Sequence, residues 1–232
     1  MGCSFCRAPK PITPEQRLRI NAIIDYWFDP SWDRNTAPAW SQVSKWFGKV
    51  TPEEIAVWDK EIKDQFEADY DNYMQGEYTG WPNDRDGRLA AILLCDQFPR
   101  NMFRASAKAF QADPQTARLA YKTLKNEELW KEYKTFEKMF ILLPLQHAED
   151  KALVQLQVEE YIKLDREVSE QMPDVYVGAA GKLLQMNIKF AQDHNTTMQR
   201  FGRYPHRNKY LGRDSTPEEL DYLNVTTDTW AK

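Results

Sequence analysis

Three segments of the chain gather side chains that can hold an anion or move a proton. Arg200, Arg203, His206, Arg207 and Asn208 stand around Gly202 and Pro205; Asp96, Gln97, Arg100 and Asn101 flank Phe98 and Pro99; Gln146, His147, Glu149 and Asp150 follow Leu143 and Pro144. A guanidinium presents a planar fork of donors that fits carboxylates and phosphates. An imidazole titrates near neutral pH and suits general acid–base work. The chemistry these residue types suggest is anion binding by Arg100, Arg203 and Arg207, with His147 or His206, oriented by Asp96 or Asp150, moving a proton. No nucleophile motif, phosphate loop or metal triad accompanies them. Cys3 and Cys6 form a CxxC without a second pair or a nearby histidine, so no metal and no cofactor is expected.

Helices must position these groups. A helix-start device occurs at Thr13-Pro14, Thr51-Pro52, Asp113-Pro114 and Thr216-Pro217: a side-chain oxygen for the free amides of a first turn, then a proline where no amide is needed. Apolar spacing agrees, with Ile20, Ile23, Ile24 and Trp27 on one stripe and Leu129, Tyr133, Phe136, Phe140 and Leu143 on another. Helices are predicted over 14–27, 52–75, 86–98, 114–125, 127–143, 149–171, 176–201 and 217–223, with a short one at 42–47 inside the loop 29–50. Alternating strand patterns are absent. The fold class is all-α: an antiparallel helical-hairpin array of tetratricopeptide-like superhelical type, in one domain over 14–232 behind a flexible extension, 1–13.

The 86–98 helix is apolar on nearly every side, so Asp96 near its end is buried and needs a partner, Arg100 or an arginine of the last motif. Pro99 is expected to stop that helix and Pro144 to end or interrupt the 127–143 helix, while Gly202 supplies a left-handed cap after 176–201. All three polar motifs then lie at helix C-termini. If the helices alternate up and down, the third, fifth and seventh end on one edge and their polar groups converge. The competing reading is structural, because cations favour helix C-termini and unpaired carbonyls. His194 is expected on a partly exposed helix face, Cys95 as a core residue, and the Glu and Lys runs of the 52–75, 127–143 and 149–171 helices as solvated faces.

With 232 residues, 42% hydrophobic and 28% charged, the chain can bury a sizeable core. Its net charge of -4 argues against general nucleic-acid binding, which needs a basic surface. Neither a membrane-spanning run nor a secretory leader is read, so a cytoplasmic protein is expected.

From about Asn21 to Leu223 these motifs resemble the domain-of-unknown-function 924 family. The matching residues are Tyr26-Trp27-Phe28, Trp46-Phe47-Gly48, Trp58-Asp59, Gly87-Arg88-Leu89-Ala90, the run from Asp96 to Asn101, Ala109-Phe110 with Asp113, Leu143-Pro144 with the run from His147 to Asp150, and Arg200 to Asn208 followed by Leu211-Gly212-Arg213. Cys95, Gln146 and Ala148 depart from the usual pattern. The resemblance implies an all-helical, tetratricopeptide-like fold and a polar signature, and no activity. Ahead of it, Gly2, Cys3 and Cys6 resemble the dual-acylation signals of Src-type kinases, glycine for myristate and cysteines for palmitate, a reading that applies in a eukaryotic cell. Arg7 and Lys10 would help hold such a segment on the cytoplasmic face of a membrane.

Two functions follow. One is a lipid-anchored scaffold that binds a protein or peptide partner, and it is preferred for want of an enzymatic motif. The other is a cytosolic enzyme that holds a small anionic ligand in an arginine-lined pocket.

Overall fold

Local capping chemistry starts the helices where the threonine–proline pairs stand. In this computed structural model, which describes residues 9–47 and 51–226, Thr13 accepts from the Gln16 amide at 3.2 Å. Thr51 and Thr216 each form a full capping box, with Glu54 and Glu219. Asp113 departs from the pattern. Its carboxylate takes Arg100 in a forked pair, with distances of 3.0–3.1 Å, and the helix starts at Asp113 itself without a side-chain cap. A charged fork outcompetes a neutral amide.

The described residues are all-helical, with no strand among them, and none of their helices is long and apolar enough to cross a membrane. They divide into two compact units, one ending at Pro144 and the other running from Leu145, with Ala105–Ala107 belonging to the second. The first holds α1 (Pro14–Trp27), α2 (Trp40–Phe47), α3 (Pro52–Met74), α4 (Arg85–Ile92), α5 (Phe98–Met102), α6 (Asp113–Leu124), α7 (Glu127–Lys131) and most of α8 (Thr135–His147). The second holds the end of α8, then α9 (Lys151–Gln171), α10 (Pro173–Val175), α11 (Gly181–Phe201), α12 (Asn208–Leu211) and α13 (Pro217–Val225).

In the first unit α1 and α3 run antiparallel, as shown by Arg19 bonding Asp69 and Gln65 while Tyr26, two turns on, reaches back to Glu61. Their apolar faces meet in an aromatic core in which Trp27, Phe28, Trp46, Phe66, Phe98 and Phe140 pack edge to face or tilted. Cys95 is buried, as expected. In the second unit α9 and α11 are antiparallel, since Lys151 meets Gln199, Gln155 meets Asn195 and Asp165 meets Gln185.

Several expectations are corrected. Pro99 does not end a helix: a wide turn over Leu93–Gln97, in which the Phe98 amide reaches Leu93, lets the run continue to Met102. Asp96 therefore lies inside a helical run. Pro144 lies within α8, which goes on to His147. The predicted 127–143 helix is two helices, because Glu137 turns back to the Lys134 amide at 2.9 Å and starts α8 afresh. Counting helices therefore no longer says on which edge an end emerges. Glu137 is also no solvated residue; it is fully buried between Arg34 and Arg85. At the other end of the chain Lys10, counted with the flexible extension, donates its amide to Thr79 at 3.1 Å and its ammonium to Glu77 at 3.3 Å. Gly2, Cys3, Cys6 and Arg7 lie outside the described residues.

One close approach carries a prediction. A Cβ on Gly87 would stand 2.6 Å from the Trp81 carbonyl oxygen, and the neighbouring atoms are also backbone. Replacing glycine by alanine in an ordinary helix interior gains about 1 kcal/mol. Gly87→Ala should instead lose about 1–3 kcal/mol, the usual cost of overpacking, and urea unfolding will read the sign.

Candidate functional site

The polar motifs fall into two groups, one in each unit. In the first unit Asp96 is fully buried. Its carboxylate takes a hydrogen bond from Gln97 and lies 3.7 Å from the Arg100 guanidinium, which also donates to the Asp96 carbonyl at 2.6 Å. The pairing of Asp96 with Arg100 is as expected, but Arg100 is held more tightly by Asp113. Asn101 turns elsewhere, to Asp59 at 2.9 Å, and Asp59 is clasped in turn by Arg104 at 2.7 and 2.8 Å. This group is a set of paired charges that ties α5 to α3 and α6.

The second unit collects His147, Glu149, Asp150, Arg203, His206, Arg207 and Asn208. They assemble because two helices end close together. The last residue of α8 is His147, and α11 stops at Gly202, whose φ of 71° provides the left-handed cap expected of it. The chain then turns at Tyr204 into a short 3-10 helix, Pro205–Arg207. Tyr204, fully buried with Val154 and Met198, donates its hydroxyl to the Gln146 carbonyl and its amide to Glu149 at 2.9 Å. Glu149 is gripped from the other side by Arg213, at 2.5 and 2.8 Å. Burial alone would raise the pKa of Glu149; the bonds from Arg213 and the Tyr204 amide, with the nearby Arg207 charge, bring it below its ordinary value.

Arg203 forks onto Glu219 at 2.6 and 2.8 Å, and Asn208 donates to the same carboxylate at 3.2 Å while accepting from Arg213 at 3.0 Å. Asp150 acts locally, its Oδ1 accepting from the Ala152 and Leu153 amides to cap α9. Arg207 is buried, with its guanidinium 4.7 Å from the Tyr204 ring centre.

His194 overturns its expected exposure. It is 8% exposed, its Nδ1 lies 2.7 Å from the Phe190 carbonyl, and its ring stands edge-on to Tyr204 at 5.6 Å. A carbonyl only accepts, so Nδ1 carries the proton and Nε2 the lone pair. Burial, followed by the charges of His147, Arg207 and His206, holds its pKa well below the ordinary value, against the pull of the Phe190 bond. Sequence reasoning missed this residue, and with it Tyr204, Arg213 and Glu219. Tyr204 and Arg213 both stood in segments that carry the family resemblance. Among the described residues no group of three His, Cys, Asp or Glu side chains is placed to hold a metal ion.

The Arg203–Glu219 pair gives a pH prediction. The Arg203 fork, with smaller help from Thr216 and Asn208 and against burial, lowers Glu219 from 4.5 to about 2. A depressed carboxylate stabilises the fold above its unfolded pKa and loses that contribution as pH falls through its folded one. Glu219→Gln should therefore lower thermal stability at pH 7, and the deficit relative to the unsubstituted protein should shrink between about pH 4.5 and 2. Melting curves across that range will show it.

A solved structure from Agrobacterium tumefaciens, described as a protein of unknown function, is similar to this chain at 27% identity with a TM-score of 0.67, covering 90% of this chain and 99% of its own. Among curated proteins none matches. At family level residues 23–227 match the group described as bacterial protein of unknown function (DUF924). That match takes in the polar motifs of both units, and the chain belongs to this family.

Proposed function

We propose that the second unit binds a small anionic ligand at its histidine–arginine cluster and that an imidazole there moves a proton. The observation that supports this reading is that His194 and His206 pack against the ring of Tyr204, with the Arg207 guanidinium over the same ring, and that His147, His206 and Arg207 all lie near enough to act on His194. Capping a helix end needs one cation, not this concentration of titratable groups. In this reading Arg207 holds the anion and His206, or His147, exchanges the proton, while Glu149 and Arg213 fix the turn that carries them. Inorganic phosphate and acetate are suitable probes. Either should raise the melting temperature and shift the imidazole resonances of His147 and His206, and Arg207→Lys should weaken the effect about 10- to 100-fold, the loss of a charged hydrogen bond. If neither anion moves an imidazole signal, the scaffold reading, with a protein or peptide partner, takes its place.

A second reading rests on Gly2, Cys3 and Cys6. In a eukaryotic cell these would take myristate and palmitate, one chain giving marginal attachment and two giving a stable one. The anchor would hold the protein on the cytoplasmic face of a membrane. Gly2→Ala should release it to the soluble fraction and also prevent palmitoylation, since the myristoyl group brings the cysteines to the membrane. Intact mass and fractionation decide, and an unmodified N-terminus with soluble protein removes the anchor.

A further inference from the structure

We infer that the buried His194 ring makes the 202–208 turn of the second unit a pH-dependent lock, held closed while the imidazole is neutral and loosened when it takes a second proton. The lock needs no ligand and stands apart from the anion-binding reading.

The geometry places His194 under the turn. Its ring packs edge-on to Tyr204, Tyr204 packs against His206 at 5.8 Å, and the Arg207 guanidinium lies over the same Tyr204 ring. The turn is closed by three amides: Gly202 to the Met198 carbonyl at 2.8 Å, Tyr204 to Glu149 at 2.9 Å and Arg207 to the Tyr204 carbonyl at 3.0 Å. Among the groups that act on His194, His147 at the end of α8 and His206 and Arg207 in the turn all oppose a charge on it, against the bond to the Phe190 carbonyl. From α9 the buried side chains are Val154, Gln157, Val158, Tyr161, Leu164 and Val168, none charged at neutral pH. On α11 itself Lys189 pairs with Asp193 and Arg200 with Glu218, while from α13 Tyr222 meets Thr197. Glu149 faces Arg213 and the Tyr204 amide.

A second proton on His194 would sit on Nε2, in a buried place among like charges. The neutral ring suits the closed turn; the charged ring suits a state in which Tyr204 lifts away and water reaches the imidazole. The sign follows from linkage. His194 binds its proton more weakly when closed than when open, so acid favours opening, starting near its ordinary value of 6.5. Each pH unit below that shifts the equilibrium toward the open turn by up to about tenfold.

Amide hydrogen exchange on the full chain, corrected for the intrinsic pH dependence of exchange, tests the lock. From about pH 6.5 to 5 the protection of the Tyr204 and Arg207 amides should fall by up to about tenfold per unit in the unsubstituted protein. It should stay flat in His194→Gln, and keep falling in His147→Gln and His206→Gln. If His194→Gln retains the fall, the assignment is wrong. Should that variant fail to fold, imidazole nitrogen NMR of the unsubstituted protein decides instead. A neutral ring protonated on Nδ1 must persist for as long as the two amides stay protected; a charged His194 beneath a protected turn overturns the lock.

Discussion

A helix that ends inside a protein must find donors for its last carbonyls, and the end of α8 finds one in the hydroxyl of Tyr204. Much of the second unit's polar cluster depends on that bond. To bring its hydroxyl to Gln146, Tyr204 must be buried beside Val154 and Met198, and its own amide then needs an acceptor, which Glu149 provides. Glu149 so placed draws Arg213, and Arg213 fixes Asn208. Each step satisfies a polar group that the previous one took out of water. His206 and Arg207 follow Tyr204 by two and three residues, so the bond that caps a helix also sets where the cations stand.

The first unit applies the same constraint to charge. Asp96, Asp113 and Glu137 are buried carboxylates, and each lies against a guanidinium: Asp96 and Asp113 against Arg100, Glu137 against Arg34 and Arg85. Removing one partner of such a group typically costs about 3–5 kcal/mol, far more than its net contribution when paired. The wide turn at Leu93–Gln97 serves this arrangement. By letting the helix run through Pro99, it leaves Arg100 one turn beyond Asp96, near enough to reach both its carboxylate and its carbonyl.

What the sequence made legible was local or periodic. The Thr13, Thr51 and Thr216 caps lie within four residues of their partners, and Gly202 follows a long apolar stripe at the place where only a left-handed residue ends it cleanly. The burial of Asp96 followed from apolar residues all round its helix. Hidden from the sequence were events decided by groups far along the chain. His194 stands between Asp193 and Asn195 and so reads as exposed; what buries it is a turn that begins after α11 has ended and folds back over it. Asp113 reads as a cap until Arg100 is seen to claim it. The prolines misled for a related reason. A proline removes one hydrogen bond and adds a local clash, but packing on the neighbouring residues, Phe98 and Leu145 among them, is complete enough to carry a helix through.

The choice of histidine at position 194 fits the electrostatics of its surroundings. The side chain must donate to the Phe190 carbonyl one turn back, fill apolar space against Tyr204 and add no charge beside Arg207. Lysine donates but brings a charge, glutamine donates but has no ring to pack, and phenylalanine packs but leaves the carbonyl bare. Neutral histidine meets all three demands, with Nδ1 protonated. Once the turn lifts away, the same ring can take a second proton near its ordinary value of 6.5, which the other three residues cannot do there. A packing solution and a sensitivity to protons therefore arrive in one residue, and the turn that carries His206 and Arg207 lies over it.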